Sequence, residues 1–300
     1  LSLLDHRGLF VENLTGDYTY NPDSMFLRDF DLKTANSTLK GDVKLTYTRE
    51  DMKDFLNKVK FDFKVEKGAV SSNDLNYFYD EFGKNQKFYL STTLTGPLNN
   101  FVLHDLKLLD DEHSKIIGTV NFKNLFDKEG PGFYMDGNFS DVTSKYNNLR
   151  EIMPRILGKS LPKVLDKLGW VNLTGHVKLT KKDLETDLQI MSELGEAEAN
   201  LTIDDFNKPD IAKYSGTVNL YGFNIGVLAE NNIIGNATAN LVVDGKGFNN
   251  QSLNTTLKGN ISKLRFNGYT YSSITVDGRM KWPYYKGVIN SNDPNLLMSF

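Results

Sequence analysis

The fold is decided by the stretch LKGDVKLT, residues 39–46, which returns as LTGHVKLT, residues 173–180. In both copies apolar residues and one glycine occupy every second position, and Lys, Thr, Asp or His occupies the positions between them. A period of two places the apolar residues and the glycine on one side of a β-strand and the polar residues on the other. The motif therefore predicts half-buried antiparallel strands.

Further copies of the motif run through the chain. They begin near residues 14, 116, 214 and 276, with looser copies and plain alternating runs between them. Short polar turns separate these runs, and together they make about twenty strands, whereas open sheets rarely exceed about ten strands without curling or splitting. A glycine in a strand permits the bend that curling needs. The sequence predicts a mainly β fold, a long curled antiparallel sheet with an open groove and a few short amphipathic helices.

Helical spacing interrupts the strands at three places. Apolar residues recur at i, i+3, i+4 and i+7 near residues 49–59 and 72–82, with Thr48 and Asp51 placed as a capping box and Ser72 placed as an N-cap. A longer, basic amphipathic stretch fills residues 143–169 and either lies on a membrane surface or packs on the sheet. The predicted organisation is therefore a β segment over 1–142, a basic amphipathic helical insertion over 143–169, and a second β segment over 170–300.

Composition excludes several classes of protein. The chain of 300 residues has 35 Lys and Arg against 38 Asp and Glu, and it has no cysteine. This balance lacks the basic stripe that binds phosphate backbones, so no nucleic-acid partner is expected. The lack of cysteine rules out disulfide frameworks, thiolate catalysis and zinc ribbons. No run approaches the roughly 18 apolar residues of a membrane-spanning helix, and we expect any anchor to lie outside this segment of a longer protein.

No catalytic motif emerges from the sequence. The four histidines, His6, His104, His113 and His176, have no partners at metal-ligand spacing, and there is no nucleophile elbow, phosphate loop or dinucleotide-binding loop. We therefore expect no enzyme activity, no cofactor and no metal site.

Asn-x-Ser/Thr triplets are frequent. They are glycan acceptors in secreted eukaryotic proteins, but Asn and Thr alternating along an exposed strand face produce the same pattern. The second interpretation is the stronger one here. The triplets begin at Asn13, Asn36, Asn138, Asn172, Asn200, Asn236, Asn250, Asn254 and Asn260.

Several stretches together resemble one known family. The run SLNTTLKGNI at 252–261 is followed by FNGYTY at 266–271, ITVDG at 274–278 and NDPNL at 292–296. DLNYFY at 74–79 and LGKSLP at 157–162 are similar to the same family. In this order the stretches resemble the TamB family of translocation and assembly module proteins, in the form found in Bacteroidota.

The resemblance implies an AsmA-like, bridge-like lipid transfer protein of the Gram-negative cell envelope. Such a protein is anchored in the inner membrane, crosses the periplasm as a folded-over sheet called a β-taco, and reaches an Omp85-family or TamA-like barrel in the outer membrane. Its implied role is the movement of phospholipids during outer-membrane biogenesis. An alternative role is that of a scaffold or chaperone for outer-membrane protein assembly or secretion, through templating of β-strands.

The apolar strand faces suggest which residues contact lipid. A sheet curled around one apolar face offers acyl chains a continuous path out of water. The alternative for each of these positions is an ordinary core residue that faces a second sheet. The predicted lipid-groove residues are Val43, Leu45, Val120, Phe122, Val177, Leu179, Val218, Leu220, Leu241, Val243 and Ile261.

Overall fold

The computed structural model describes residues 1–80, 82–126, 132–152, 154, 158, 161, 163–249, 251–281 and 283–300. Within these residues the predicted fold class is confirmed: the chain is mainly β, its antiparallel sheet is not closed, and its helices are few and short. The chain divides into two compact units. Unit 1 comprises Leu1–Ser144 and Asn148–Gly158, and unit 2 comprises Lys145–Asn147 and Lys159–Phe300.

Unit 1 is built on nine antiparallel strands, and each strand pairs with the next one in the sequence. This simple meander follows from the short polar turns that separate the alternating runs. The strands are β1 (Leu3–Leu4), β2 (Phe10–Asn21), β3 (Ser24–Thr34), β4 (Thr38–Thr46), β5 (Lys60–Ser71), β6 (Lys87–Pro97), β7 (Asn100–Asp110), β8 (Lys115–Lys123) and β9 (Tyr134–Lys145).

Unit 2 is a second meander of nine antiparallel strands. The strands are β10 (Trp170–Thr180), β11 (Leu184–Ser192), β12 (Gly195–Asp204), β13 (Lys213–Asn224), β14 (Ile234–Lys246), β15 (Asn254–Phe266), β16 (Tyr269–Lys281), β17 (Tyr284–Asp293) and β18 (Leu296–Ser299).

The helices are short and connect strands. In the part of the chain that the structure describes, none is long and apolar enough to span a bilayer. Of the predicted insertion over 143–169, a helix and a 3₁₀ turn are described, whereas Met153 and residues 155–157, 159, 160 and 162 lie outside the described residues. The helical segments are a 3₁₀ turn (Asp51–Asp54), α-helices at Phe55–Lys58, Ser72–Leu75, Tyr146–Ile152 and Ile225–Ala229, and a 3₁₀ turn (Lys163–Leu168).

The two predicted helix starts differ in outcome. Thr48 and Asp51 form the reciprocal capping box, because each backbone N–H donates to the other side chain, at 2.7 Å to Asp51 Oδ2 and 3.3 Å to Thr48 Oγ1. The backbone bond from Thr48 holds the pKa of Asp51 below its usual value. The second N-cap is Ser71 rather than Ser72, and its side chain accepts from the Asn73 N–H.

The helix predicted over 72–82 ends early because of one side chain. The Asn76 amide pairs with both backbone groups of Phe82: Nδ2 donates to the carbonyl oxygen and Oδ1 accepts from the N–H, each at 3.1 Å. A helix-type bond still joins the Tyr79 N–H to the Leu75 carbonyl oxygen at 2.9 Å, and the Asn76 pairing then closes the segment at Phe82. A short polar side chain thus replaces further helical hydrogen bonds, as Asn side chains commonly do outside helix interiors.

β-bulges mark unit 1. Every ladder from β2 to β9 contains at least one register shift. At two of the shifts an aspartate has a positive φ, Asp29 with 48° and Asp105 with 49°, and the Asp29 N–H donates to Asp42 Oδ1 at 2.9 Å. Bulges bend a strand and increase its twist. Seven bulged ladders side by side therefore bend the sheet of unit 1 along a line that crosses its strands.

In each unit one buried aspartate accepts several hydrogen bonds from a neighbouring loop or strand. In unit 1, Asp74 accepts hydrogen bonds from the side chains of Thr34, Asn36 and Ser37. In unit 2, Asp293 accepts from the Asn295 N–H and from both the N–H and the hydroxyl of Ser272. These bonds, led by the one from Asn295, lower the pKa of Asp293. Both aspartates belong to stretches that carry the family resemblance, and here they hold loops in place.

Candidate functional site: the apolar face of unit 2

The ladder registers place four rows of mostly apolar residues on one face of unit 2, because directly opposed residues of antiparallel strands lie on the same face. We call this the apolar face of unit 2. Its two central rows are Val177, Thr186, Leu201, Gly216, Val243, Leu257, Gly278 and Gly287, and Gly175, Leu188, Ala199, Val218, Leu241, Gly259, Val276 and Ile289.

The two outer rows complete the face. One outer row consists of Leu179, Leu184, Ile203, Tyr214, Gly245, Thr255, Met280 and Tyr285, and the other consists of Leu173, Ile190, Ala197, Leu220, Ala239, Ile261, Ile274, Ser291 and Met298. All the predicted lipid-groove residues of unit 2 therefore lie on this one face, namely Val177, Leu179, Val218, Leu220, Leu241, Val243 and Ile261.

The central rows are half-buried at every position except Gly287, which is exposed. Strand β14 shows the two sides of the sheet most clearly, since Leu241 and Val243 are half-buried while Val242 between them is 53% exposed. Unit 2 contains a single sheet, and its described residues include no second sheet that covers this face. In a β-sandwich the inner faces of two sheets interdigitate to form the core. The central rows therefore keep apolar surface that the chain itself does not bury.

Glycines in these rows allow neighbouring strands to approach closely. Gly216 has a φ of +142°, and a Cβ at this position would overlap the carbonyl oxygen of Asn200 on the adjacent strand. The same overlap with a neighbouring carbonyl would arise at Gly175 and Gly259. The recurring in-line glycine of the sequence motif, which was predicted to permit a bend, is thus a position of close backbone approach.

Aromatic and small residues close one rim of this face. The Phe248 ring stacks on Tyr214 with centroids 5.0 Å apart, and both Phe206 and Ala212 are buried. The Phe206 N–H donates to the Lys182 carbonyl oxygen, and the Phe248 N–H donates to the Pro209 carbonyl oxygen. These bonds join the loops that follow β10, β12 and β14. Burial at this rim raises the pKa of Tyr214. Sequence reasoning missed this rim, because Phe206 follows an acidic pair that reads as a solvated connection.

The opposite rim is formed by a helix. The helix Ile225–Ala229 packs against β14, and Phe223 just before it is buried. Asn224 caps the helix by accepting from the Val227 N–H. Lys167 donates to the Leu228 carbonyl oxygen and forms an ion pair with Glu230 at 2.8 Å. This ion pair lowers the pKa of Glu230.

The predicted groove residues of unit 1 also share one face. Val43 and Val120 lie in one row, which runs through Leu27, Val43, Phe63, Leu94, Leu103 and Val120. Leu45 and Phe122 are two residues further along the same strands and point to the same side. Val120 is buried, and the other three are half-buried.

Unit 1 fills much of its own apolar face, however. The rings of Phe30 and Phe63 lie 5.8 Å apart, and those of Phe101 and Phe122 lie 5.2 Å apart. The row beside the bulges is buried at Phe30, Val65 and Leu106. Unit 1 therefore fills its apolar face with aromatic rings to a greater extent than unit 2, although its row from Leu27 to Leu103 is half-buried as well.

The accessible surface agrees with an incompletely buried interior. The described chain exposes 17378 Å². Two separate compact proteins of half its mass would together expose only about 15,000 Å². The excess remains even when each unit is counted as a body of its own, so it does not depend on how the units are arranged.

No metal centre is present among the described residues, since no three His, Asp or Glu side chains lie close enough to hold an ion. Comparisons of the chain with protein-family models, with curated proteins and with solved structures found no match. The family resemblance noted in the sequence therefore stays a prediction. The apolar face of unit 2 is therefore identified as a candidate site by its geometry alone.

Proposed function

We propose that the apolar face of unit 2 binds the acyl chains of phospholipids, and that the protein carries such lipids along its sheet. The observation that carries the proposal is the pair of central rows, which run across eight strands of the sheet and in which no residue is fully buried. An ordinary core would bury these residues under a second layer.

The energetics favour a continuous path. Burial of one acyl methylene is favourable by about 0.8 kcal/mol, so exposing a chain of about fifteen methylenes to water costs on the order of 12 kcal/mol. Adjacent strands lie about 4.8 Å apart, so nine strands extend an apolar surface over about 40 Å. A lipid that moves along the rows exchanges one apolar contact for another and avoids most of this cost.

The cellular setting follows from the family resemblance. We infer a periplasmic bridge between the inner and outer membranes of a Gram-negative bacterium, anchored in the inner membrane by a part of the protein outside this segment. Its proposed partner is an outer-membrane barrel of the Omp85 or TamA type. The chemistry needs no enzyme activity and no cofactor.

The proposal is tested by photocrosslinking in the native host. A benzophenone amino acid replaces Val218, on a central row, or Thr217, which is exposed on the opposite face of the same strand. We expect the probe at position 218 to capture phospholipid, detected by mass spectrometry, at least tenfold more often than the probe at 217. Equal capture at the two positions would contradict the assignment of the face. Capture at neither position would favour the scaffold role.

A substitution pair gives a second readout. Val218→Asp places a carboxylate among Ala199 and Leu241 and is expected to lower co-purified phospholipid at least threefold. Thr217→Asp adds the same charge on the opposite face and is the matched control. Circular dichroism of both variants shows whether the sheet has formed.

A further inference from the structure

The opposite face of unit 2 carries a row unlike its neighbours. At one register position all nine strands contribute a hydrogen-bonding side chain, and only one of these side chains is charged. We call this row the polar ladder. It consists of Thr174, Gln189, Glu198, Asn219, Asn240, Asn260, Thr275, Asn290 and Ser299.

Other rows on this face are different: the adjacent row includes His176, Asp187, Lys258 and Asp277, and the row beyond it is more strongly charged. The row through Lys178, Glu185, Asp244, Arg279 and Lys286 mixes charges of both signs, as solvated faces usually do. The polar ladder instead explains part of the Asn-x-Ser/Thr pattern, because Asn260 is a ladder residue and Asn172 lies two residues from Thr174 on the same side of β10. A row of this length with a single charged side chain is a feature that solvation alone does not require.

Hydrogen bonds between ladder residues orient several of its side chains. Asn240 Nδ2 donates to Asn219 Oδ1, and Asn219 Nδ2 donates to Glu198 Oε2, both at 2.9 Å. At the far end Ser299 Oγ donates to Asn290 Oδ1 at 2.7 Å. Each primary amide has two N–H donors, and these bonds use one donor of Asn219 and one of Asn240. The amides are therefore oriented while keeping further hydrogen-bonding capacity.

A cleft and an aromatic ring adjoin the ladder. The cleft has a volume of about 250 Å³ and is lined by Gln189, Glu198 and Asn219 of the ladder together with Asp187, Asn200 and Thr217 of the next row. On the other side of the ladder Tyr221 is 42% exposed, and its hydroxyl donates to Glu198 Oε2 at 3.1 Å. A planar ring beside fixed amides and a carboxylate offers both stacking and neutral hydrogen bonds.

We propose that the polar ladder binds an extended, uncharged polysaccharide with β-1,4 linkages. Strands repeat about every 4.8 Å across a sheet, and one sugar of such an extended chain advances by nearly the same distance. Each strand would thus present one hydrogen-bonding group to each sugar. A nucleic acid would need Lys or Arg along the row, and a protein interface would need an apolar core; the ladder has neither.

This proposal is independent of lipid binding, since the ladder lies on the opposite face of the sheet. The probe is the β-1,4-linked hexamer of N-acetylglucosamine, titrated into the purified chain by calorimetry, with the α-1,4-linked glucose hexamer as the curved control. We expect saturable binding of the β-linked hexamer only. Failure of this binding leaves the crosslinking result at Val218 unaffected, so the two proposals fail separately.

Variants locate the binding. Asn219→Ala combined with Asn240→Ala is expected to weaken binding of the β-linked hexamer at least tenfold. Thr202→Ala combined with Thr256→Ala, two exposed positions of the charged row, is expected to leave it unchanged. If the variant with Asn219→Ala and Asn240→Ala does not fold, the unaltered protein is titrated with the β-linked hexamer instead. Changes in the NMR shifts of its side-chain amides then show whether the hexamer contacts the ladder. No saturable binding, equal binding of both hexamers, equal loss in both variant pairs, or shifts away from the ladder would each overturn the proposal.

Discussion

Units 1 and 2 share a meander of nine antiparallel strands and the same alternation of apolar and polar residues, yet they bend and fill differently. In unit 1 every ladder from β2 to β9 is bulged, whereas the ladders joining β10 to β13 have no register shift. Phenylalanine rings pack inside unit 1, while the central rows of unit 2 are aliphatic or glycine except at Thr186. The alternation sets which side is apolar, and side-chain volume then decides whether that side is filled.

The largest expected effect tests this difference in filling. Phe30 is 4% exposed in unit 1, so Phe30→Ala is expected to lower the free energy of unfolding of this unit by about 3–5 kcal/mol through loss of packing and creation of a cavity. Leu241 on the central rows of unit 2 is half-buried, and Leu241→Ala is expected to cost only about 1–2 kcal/mol. Hydrogen exchange measured by mass spectrometry reports each unit separately.

Co-purified phospholipid, measured in the same two variants, tests the same contrast between the units. Leu241→Ala is expected to lower the amount of co-purified phospholipid, while Phe30→Ala is expected to leave it unchanged. If the two substitutions cost the same free energy, the central rows of unit 2 are packed as tightly as unit 1, and the contrast between a filled and an open face is lost.

The sequence predicted the faces well, for a simple physical reason. A period of two fixes which residues share a side within one strand, and the apolar sides of all strands were expected to face the same way, so Val177, Val218 and Leu241 could be assigned to one face before any strand pairing was known. Alternation also distinguished Thr217 from Val218. It could not tell a filled face from an open one, because that depends on which residues stand opposite each other across the sheet.

The second-largest expected effect tests the close approach of neighbouring strands in unit 2. Gly216→Ala is expected to destabilise unit 2 by about 3 kcal/mol, because the new Cβ would overlap the Asn200 carbonyl oxygen at a backbone φ of +142°. Gly222 also has a positive φ, +58°, but no heavy atom lies within 4 Å of the position of its Cβ. Gly222→Ala is the matched control and is expected to cost about 1 kcal/mol.

Hydrogen exchange on β12 and β13 checks this prediction. A close approach at Gly216 requires faster exchange in both strands of the Gly216→Ala variant. If the two glycine variants behave alike, the conformation of the backbone and not the contact with Asn200 explains the recurring glycine.

The bulges of unit 1 were not predicted, although a signal for two of them exists. Leu27-Arg28-Asp29-Phe30 and Leu103-His104-Asp105-Leu106 have the same order, an aspartate placed between a polar and an apolar residue. In both, the aspartate has a positive φ and the ladder shifts register. Asp tolerates this conformation better than most residues. In the sequence the aspartate only interrupts an alternating run, so the pattern reads as an imperfect strand.

The smallest expected effect tests this signal. Asp29→Asn keeps a side chain that tolerates a positive φ, and we expect the stability of unit 1 to change by less than about 0.5 kcal/mol. Asp29→Val places a β-branched residue in that conformation and is expected to cost about 1–2 kcal/mol. Chemical denaturation of the two variants measures the difference. An equal loss in both would mean that the carboxylate of Asp29, rather than its backbone conformation, holds the bulge, and the bend that distinguishes unit 1 would then depend on charge.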